Sequence, residues 1–227
     1  MSGFSRPHIG ISKCLEFDMC RYDGSRINNN FVRIMREYVD FITVCPEVGI
    51  GLGSPRKPIR LVNIDGQKNL YQPSTEKNLT DDMHNFTKKF VASNTKLDGF
   101  IFKRDSPTCG ISDVRLYHKL GDHVGYSKTS GMFSEGVLRE FPNIVKEDEK
   151  RLNNILIREN FLTRIFILAD LRESLESKGS AQAPEPVQRH PSGGRRGPGL
   201  EHLSQGTIRR NFQPVRPLAA RWSPATG

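Results

Sequence analysis

Four cysteines, Cys14, Cys20, Cys45 and Cys109, carry the widest chemistry in this 227-residue chain. As thiolates they bind soft metals and iron–sulfur clusters, attack electrophiles or pair as disulfides. The N-terminus, MSGFSRPHIGIS, has no apolar run of export-signal length, so the chain is expected in the cytoplasm, where reducing conditions disfavour a disulfide framework. Metal binding and thiol chemistry remain. Three of the cysteines follow β-like runs: Cys14 after IGIS, Cys45 at the end of FITVC, and Cys109 in RDSPTCG after DGFIFK. In an open parallel sheet the carboxyl ends of strands line one edge, so Cys14, Cys45 and Cys109 are expected to converge there. Three thiolates without a fourth ligand suit a cluster with one open iron. Zinc competes, but structural zinc sites pair their ligands at Cys-x2–4-Cys spacing, whereas five residues separate Cys14 from Cys20 and no CxxC occurs. Inert buried thiols are the third reading, since free cysteine is among the most buried residue types. Spacing alone leaves all three open.

The elements that must position these residues alternate short β-like runs with helical patterns from His8 to about Asn143, the order of a layered α/β fold with a mostly parallel sheet flanked by helices. IGIS is the first strand. NNNFVRIMREYVDFI spaces Phe31, Ile34, Tyr38 and Phe41 as a helix does and offers Asn28 to Asn30 as N-caps, before FITVC. IRLVNI is a further strand candidate, TEKNLTDDMHNFTKKFVASN a long helix, DGFIFK a strand, and GMFSEGVLREFP a helix that must stop before Pro142. Residues 147–177 predict one or two helices with a broad apolar surface that includes Phe161, Leu162, Ile165, Phe166, Leu168 and Leu171. Such a face requires a partner. From Lys178 periodicity disappears and seven of the chain's 14 prolines gather, so 178–227 is expected to be disordered. The domains read as 1–145, 146–177 and 178–227.

Charge follows the same division. The chain carries +9, of which +6 lies in 178–227, where eight Lys and Arg face two Glu. A body at +3 argues weakly for a polyanionic partner; nucleic acid is expected only through the basic tail. The most apolar stretch, ILIRENFLTRIFILAD, is broken by Arg158, Glu159 and Arg164, so no membrane span is expected.

Three segments, SKCLEFDMCRYDG (12–24), VCPEVGIGLGSPRKP (44–58) and FKRDSPTCGISDVRLY (102–117), together resemble the bacterial and archaeal family called domain of unknown function family 523, whose characterised members include thiouracil desulfurase. The likeness covers roughly residues 8–145. It implies that Cys14, Cys45 and Cys109 hold a [4Fe-4S] cluster whose open iron binds the sulfur of a thiolated small molecule such as a thiopyrimidine, in a non-redox desulfuration. Cys20 is implied to be a nearby thiol rather than a ligand. Glu47 and Ser106 match family positions, Glu47 as an acid–base group that burial would let hold a proton near neutral pH, and Ser106 as a hydrogen-bond donor or proton relay. The plainer alternatives are a turn residue after Cys-Pro and a serine capping a loop. A metal- or cluster-stabilised binding module without catalysis is the rival function.

RYDG reads as a turn, with Arg21, Tyr22 and Asp23 as candidate substrate-loop residues. Arg56, between Pro55 and Pro58, reads as a solvated loop arginine with a candidate role in positioning an anionic or carbonyl group. Those prolines follow GIGLGS where a dinucleotide-binding helix would have to begin, which excludes a nucleotide cofactor there. Residues 141–177 resemble the linker and opening helix of domain of unknown function family 1722. The match stops near Ser177, and the Arg, Pro and Gly bias beyond it is that of a shifted reading frame, which would leave the apolar helix without its docking surface.

Overall fold

In chain order the elements are β1 (His8–Ser12), α1 (Asn30–Met35), β2 (Asp40–Val44), α2 (Pro46–Gly49), β3 (Arg60–Ile64), β4 (Gln67–Gln72), β5 (Lys77–Asn78), α3 (Thr80–Ser93), β6 (Gly99–Phe102), β7 (Val114–Tyr117), β8 (Tyr126–Thr129), α4 (Met132–Glu140), β9 (Val145–Asp148) and α5 (Ile155–Ser180). The structure, a computed structural model, describes residues 4–121 and 124–180. The disorder, basic nucleic-acid arm and shifted frame expected of the tail therefore fall, from residue 181 onward, outside the described residues. Lys178 to Ser180 do not begin that tail; they continue α5.

Strands β2, β1, β6 and β9 form a sheet in that order, every pair parallel. Because the chain moves to one side of β1 for β2 and to the other for β6, the carboxyl ends of β1 and β6 flank a switch point, the usual place for a ligand crevice. The pleat separates two cores. Ile9, Ile11, Ile101 and Val145 pack with α1 and with Phe161 and Ile165 of α5, whereas Phe100 and Phe102 pack with Met83, Phe90, Phe133 and Val137 of α3 and α4. Phe100 lies across β1 only because position 10 is glycine: a Cβ there would stand 2.3 Å from the Phe100 ring. Each such fully buried aromatic contributes about 2–3 kcal/mol.

Helix α1 is shorter than its spacing predicts. Asn29 caps it, its side chain accepting from Val32 N at 3.1 Å, but the helix stops at Met35 and the chain turns so that Phe41 enters β2 and meets Phe17 edge-on at 5.4 Å. Pairing β2 beside β1 outweighs the continued helical period. IRLVNI becomes β3 of a second, mixed sheet ordered β5, β4, β3, β7, β8. Asp65 (φ 51°) and Gly66 (φ 79°) make the two-residue turn between β3 and β4.

The fourth parallel strand, β9, runs past the expected boundary at 145. Helix α5 then finds the partner its apolar face requires in the sheet itself. Phe161, Ile165 and Ala169, four residues apart, are buried, and Gly99 admits the helix closely, since a Cβ there would lie 2.9 Å from Ile165 Cγ2. Arg172 locks the contact through an ion pair to buried Asp98 at 3.0 Å. Ile167, Leu171 and Leu175 remain exposed. No helix among the described residues is long and apolar enough to cross a membrane.

Candidate functional site

The carboxyl edge of the parallel sheet carries all four cysteines. Cys14 sits in the turn leaving β1, where its carbonyl accepts from Ile27 N at 2.9 Å. Cys45 leaves β2 and is the N-cap of α2, whose first residue, Pro46, has no N–H to satisfy. Cys109 closes the loop after β6. That loop is folded by Ser106, whose Oγ accepts from the backbone N–H groups of Thr108 at 3.3 Å and Cys109 at 3.2 Å.

Cys14, Cys20 and Cys109 are buried and Cys45 is half-buried. Hydrogen bonding with Cys14, then burial, pushes the Cys20 thiol up to about 11, against a lowering by Cys45. The hydrogen bond to Cys20 and then burial push Cys45 up as well. Burial pushes Cys109 up to about 12, while the Ser12 and Thr108 hydroxyls pull the other way. Ser12 Oγ accepts from Lys103 N at 2.9 Å, which leaves its own hydrogen for the Cys109 sulfur; Thr108 Oγ1 lies 3.6 Å from that sulfur. A metal or cluster would replace these thiol protons.

Glu47, on α2, is 8% exposed and lies beside the thiols. Arg56 donates through Nε at 2.8 Å and Nη2 at 2.6 Å to one carboxylate oxygen, Oε2. The other oxygen, Oε1, accepts from Thr108 Oγ1 at 2.9 Å and Ser106 Oγ at 3.4 Å. Arg56 is therefore no solvated loop residue. Its side chain is 5% exposed, and Nη1 also donates to the carbonyls of Cys20 at 2.9 Å and Gly53 at 2.8 Å. The glycines at 51 and 53, with φ of 88° and 69°, bend the loop that returns Arg56 to Glu47. After GIGLGS the chain runs without a helix to β3.

Arg21, Tyr22 and Asp23 form a self-contained turn. Asp23 Oδ1 accepts from Ser25 N at 3.0 Å and Ser25 Oγ at 2.6 Å, and Arg21 bonds Ser25 Oγ at 2.7 Å. The turn joins the site through backbone, with Arg56 N donating to Tyr22 O at 2.8 Å. Tyr22 is 50% exposed.

Ser12 and Thr108 are missing from a sequence-based list of site residues, and Arg56 is misplaced there as solvated. Thr108 carried one signal, its position beside Cys109; Ser12, at the end of a strand, carried none.

Among the described residues no group of three or more His, Cys, Asp or Glu side chains is drawn to the spacing of one metal ion. The donor set at the edge is all thiol and lacks histidine, a soft set that fits an iron–sulfur cluster.

A family model described as 2-thiouracil desulfurase matches residues 9–149. The uncharacterized protein YbbK of Bacillus subtilis (strain 168) is 27% identical over 158 residues, 65% of this chain and 99% of that protein. The solved structure of TudS, a [4Fe-4S]-dependent thiouracil desulfidase, shares the fold with a TM-score of 0.51 at 22% identity, over 67% of this chain and 97% of its own.

Proposed function

Starting from the fact that the chain belongs to the 2-thiouracil desulfurase family, we propose that it removes sulfur from a thiolated small molecule, a thiopyrimidine, with Cys14, Cys45 and Cys109 holding a [4Fe-4S] cluster. The observation that supports this most is the convergence of those cysteines with the buried Glu47 at one sheet edge. The cluster would supply a Lewis-acidic iron for the substrate sulfur.

The chain's own groups carry the proton chemistry. Exchange of a thiocarbonyl for a carbonyl consumes one water and releases the sulfur as sulfide, with no net oxidation, so a base must take a proton from the water. Arg56 holds Oε2, and Oε1, which faces the Thr108 and Ser106 hydroxyls, is the atom assigned to that task. The Ser106 hydroxyl, 3.4 Å from Oε1, lies in reach as a relay and at the same time folds the Cys109 loop. Both readings of Ser106 therefore describe one side chain.

Anaerobic purification with iron and acid-labile sulfide quantified, beside a variant with Cys14, Cys45 and Cys109 all changed to Ala, tests the cluster. About four irons and four sulfides per chain are expected in the first and none in the second, with release of sulfide from 2-thiouracil by the first alone. Stoichiometric zinc in place of iron would make this a binding protein.

A further inference from the structure

Cys20 stands outside the three-cysteine set, yet it is 3% exposed and lies in the same buried cluster as Cys14, with Cys45 packed against that cluster. Its backbone is pinned in place. Arg56 Nη1 donates to the Cys20 carbonyl at 2.9 Å, and the Cys45 thiol reaches the same carbonyl at 3.6 Å. Of the four thiols, only that of Cys45 belongs to a residue that is not buried. A ligand-bearing thiol within reach of solvent therefore has a buried second thiol held against it.

We propose that Cys20 is a resolving thiol: in the cluster-free chain it closes a reversible disulfide with Cys45, withdrawing that ligand until a reductant reopens the site. The oxidant is a low-molecular-weight disulfide such as oxidised glutathione. Cys45 attacks one sulfur of the oxidant, forming a mixed disulfide and releasing one glutathione. Cys20 then attacks the Cys45 sulfur, the bond from Cys45 to glutathione breaks, and the second glutathione leaves. The Cys20–Cys45 pair loses two electrons and two protons, and these reduce the oxidant to two thiols. Holding Cys20 beside Cys45, whose sulfur is 3.6 Å from the Cys20 carbonyl, gives the second step a high effective concentration, so the internal bond outcompetes the mixed one. Cluster loading then depends on the thiol redox state, a consequence that rests on Cys45 being a ligand; the disulfide itself does not.

The test uses the full cluster-free chain, incubated anaerobically with oxidised glutathione, then denatured, alkylated and mapped by mass spectrometry. The four alkylatable thiols are expected to fall to two, with one linkage between residues 20 and 45. Cys20→Ser, and Cys20→Val in case the serine disturbs the core, are expected instead to keep glutathione on Cys45. Oxidised wild type should take up no iron and sulfide until dithiothreitol is added. Persistence of four thiols, a linkage that excludes Cys20, or an internal Cys45 disulfide in the Cys20 variants would overturn the proposal. A reduced chain that takes up no iron although the disulfide forms would instead remove the cluster and leave Cys20 as a resolving thiol.

Discussion

The carboxyl edge and the α5 face of the parallel sheet are built on the same four strands but held by different forces. Under α5 the contact is apolar, with Phe161, Ile165 and Ala169 over Ile9, Ile101 and Gly99, fastened by the one buried pair of Arg172 and Asp98. At the edge the groups are held by polar, directional contacts: Arg56 on Glu47, Thr108 and Ser106 on the other carboxylate oxygen, Ser12 on Cys109. Apolar packing tolerates changes that keep volume. A buried charge does not tolerate loss of its partner, because the remaining charge stays desolvated. The edge therefore holds reactive groups in place at a cost in tolerance.

Four experiments test whether the two regions differ in this way. Glu47→Gln keeps the size of the side chain and removes the proposed proton acceptor, at the cost of leaving Arg56 unpaired, so sulfide release from 2-thiouracil should fall by about 10²- to 10⁴-fold while iron per folded chain is retained. Equal loss of iron and turnover would make Glu47 structural. Arg56→Met strands the Glu47 charge and should cost about 3–5 kcal/mol in urea denaturation of the cluster-free chain, whereas the double variant with Glu47→Gln should recover much of it. Additive losses would mean the ion pair is not what holds the loop.

On the other face, Ile165→Ala should cost about 2–5 kcal/mol through its cavity, yet leave the iron content per folded chain unchanged. If iron is lost as well, the two regions are not separable. The smallest effect concerns Glu16, buried at φ 72° beside the site turn. Burial pushes its carboxyl up, but the Asn29 backbone N–H and the Arg33 guanidinium outweigh that and hold it below its ordinary 4.5. A lowered folded value means that its stabilisation is complete above pH 4.5 and fades as pH falls through the folded value. Glu16→Gln should flatten the acid limb of a melting-temperature profile, with little slope change at neutral pH.

Much of the fold was legible along the chain, because strand and helix patterns depend on neighbours in sequence. IGIS, FITVC and DGFIFK are parallel strands, and the Asn29 cap begins a helix. Helix α1 and strand β9 departed from pattern where pairing with a distant strand decided the local conformation.

The available chemistry is written in the residue types: four thiols, three of them following strands, and Glu47 two residues past Cys45. It took folding in three dimensions to bury Arg56, from a loop rich in proline and glycine, on Glu47, to turn the Thr108 and Ser12 hydroxyls on the site, and to lay Cys20 against Cys45. Those contacts join residues 9 to 97 positions apart, and no local period encodes them. They follow from the closing of a parallel sheet, whose strand ends meet in space after long crossovers, and from the need of each buried polar atom for a partner there.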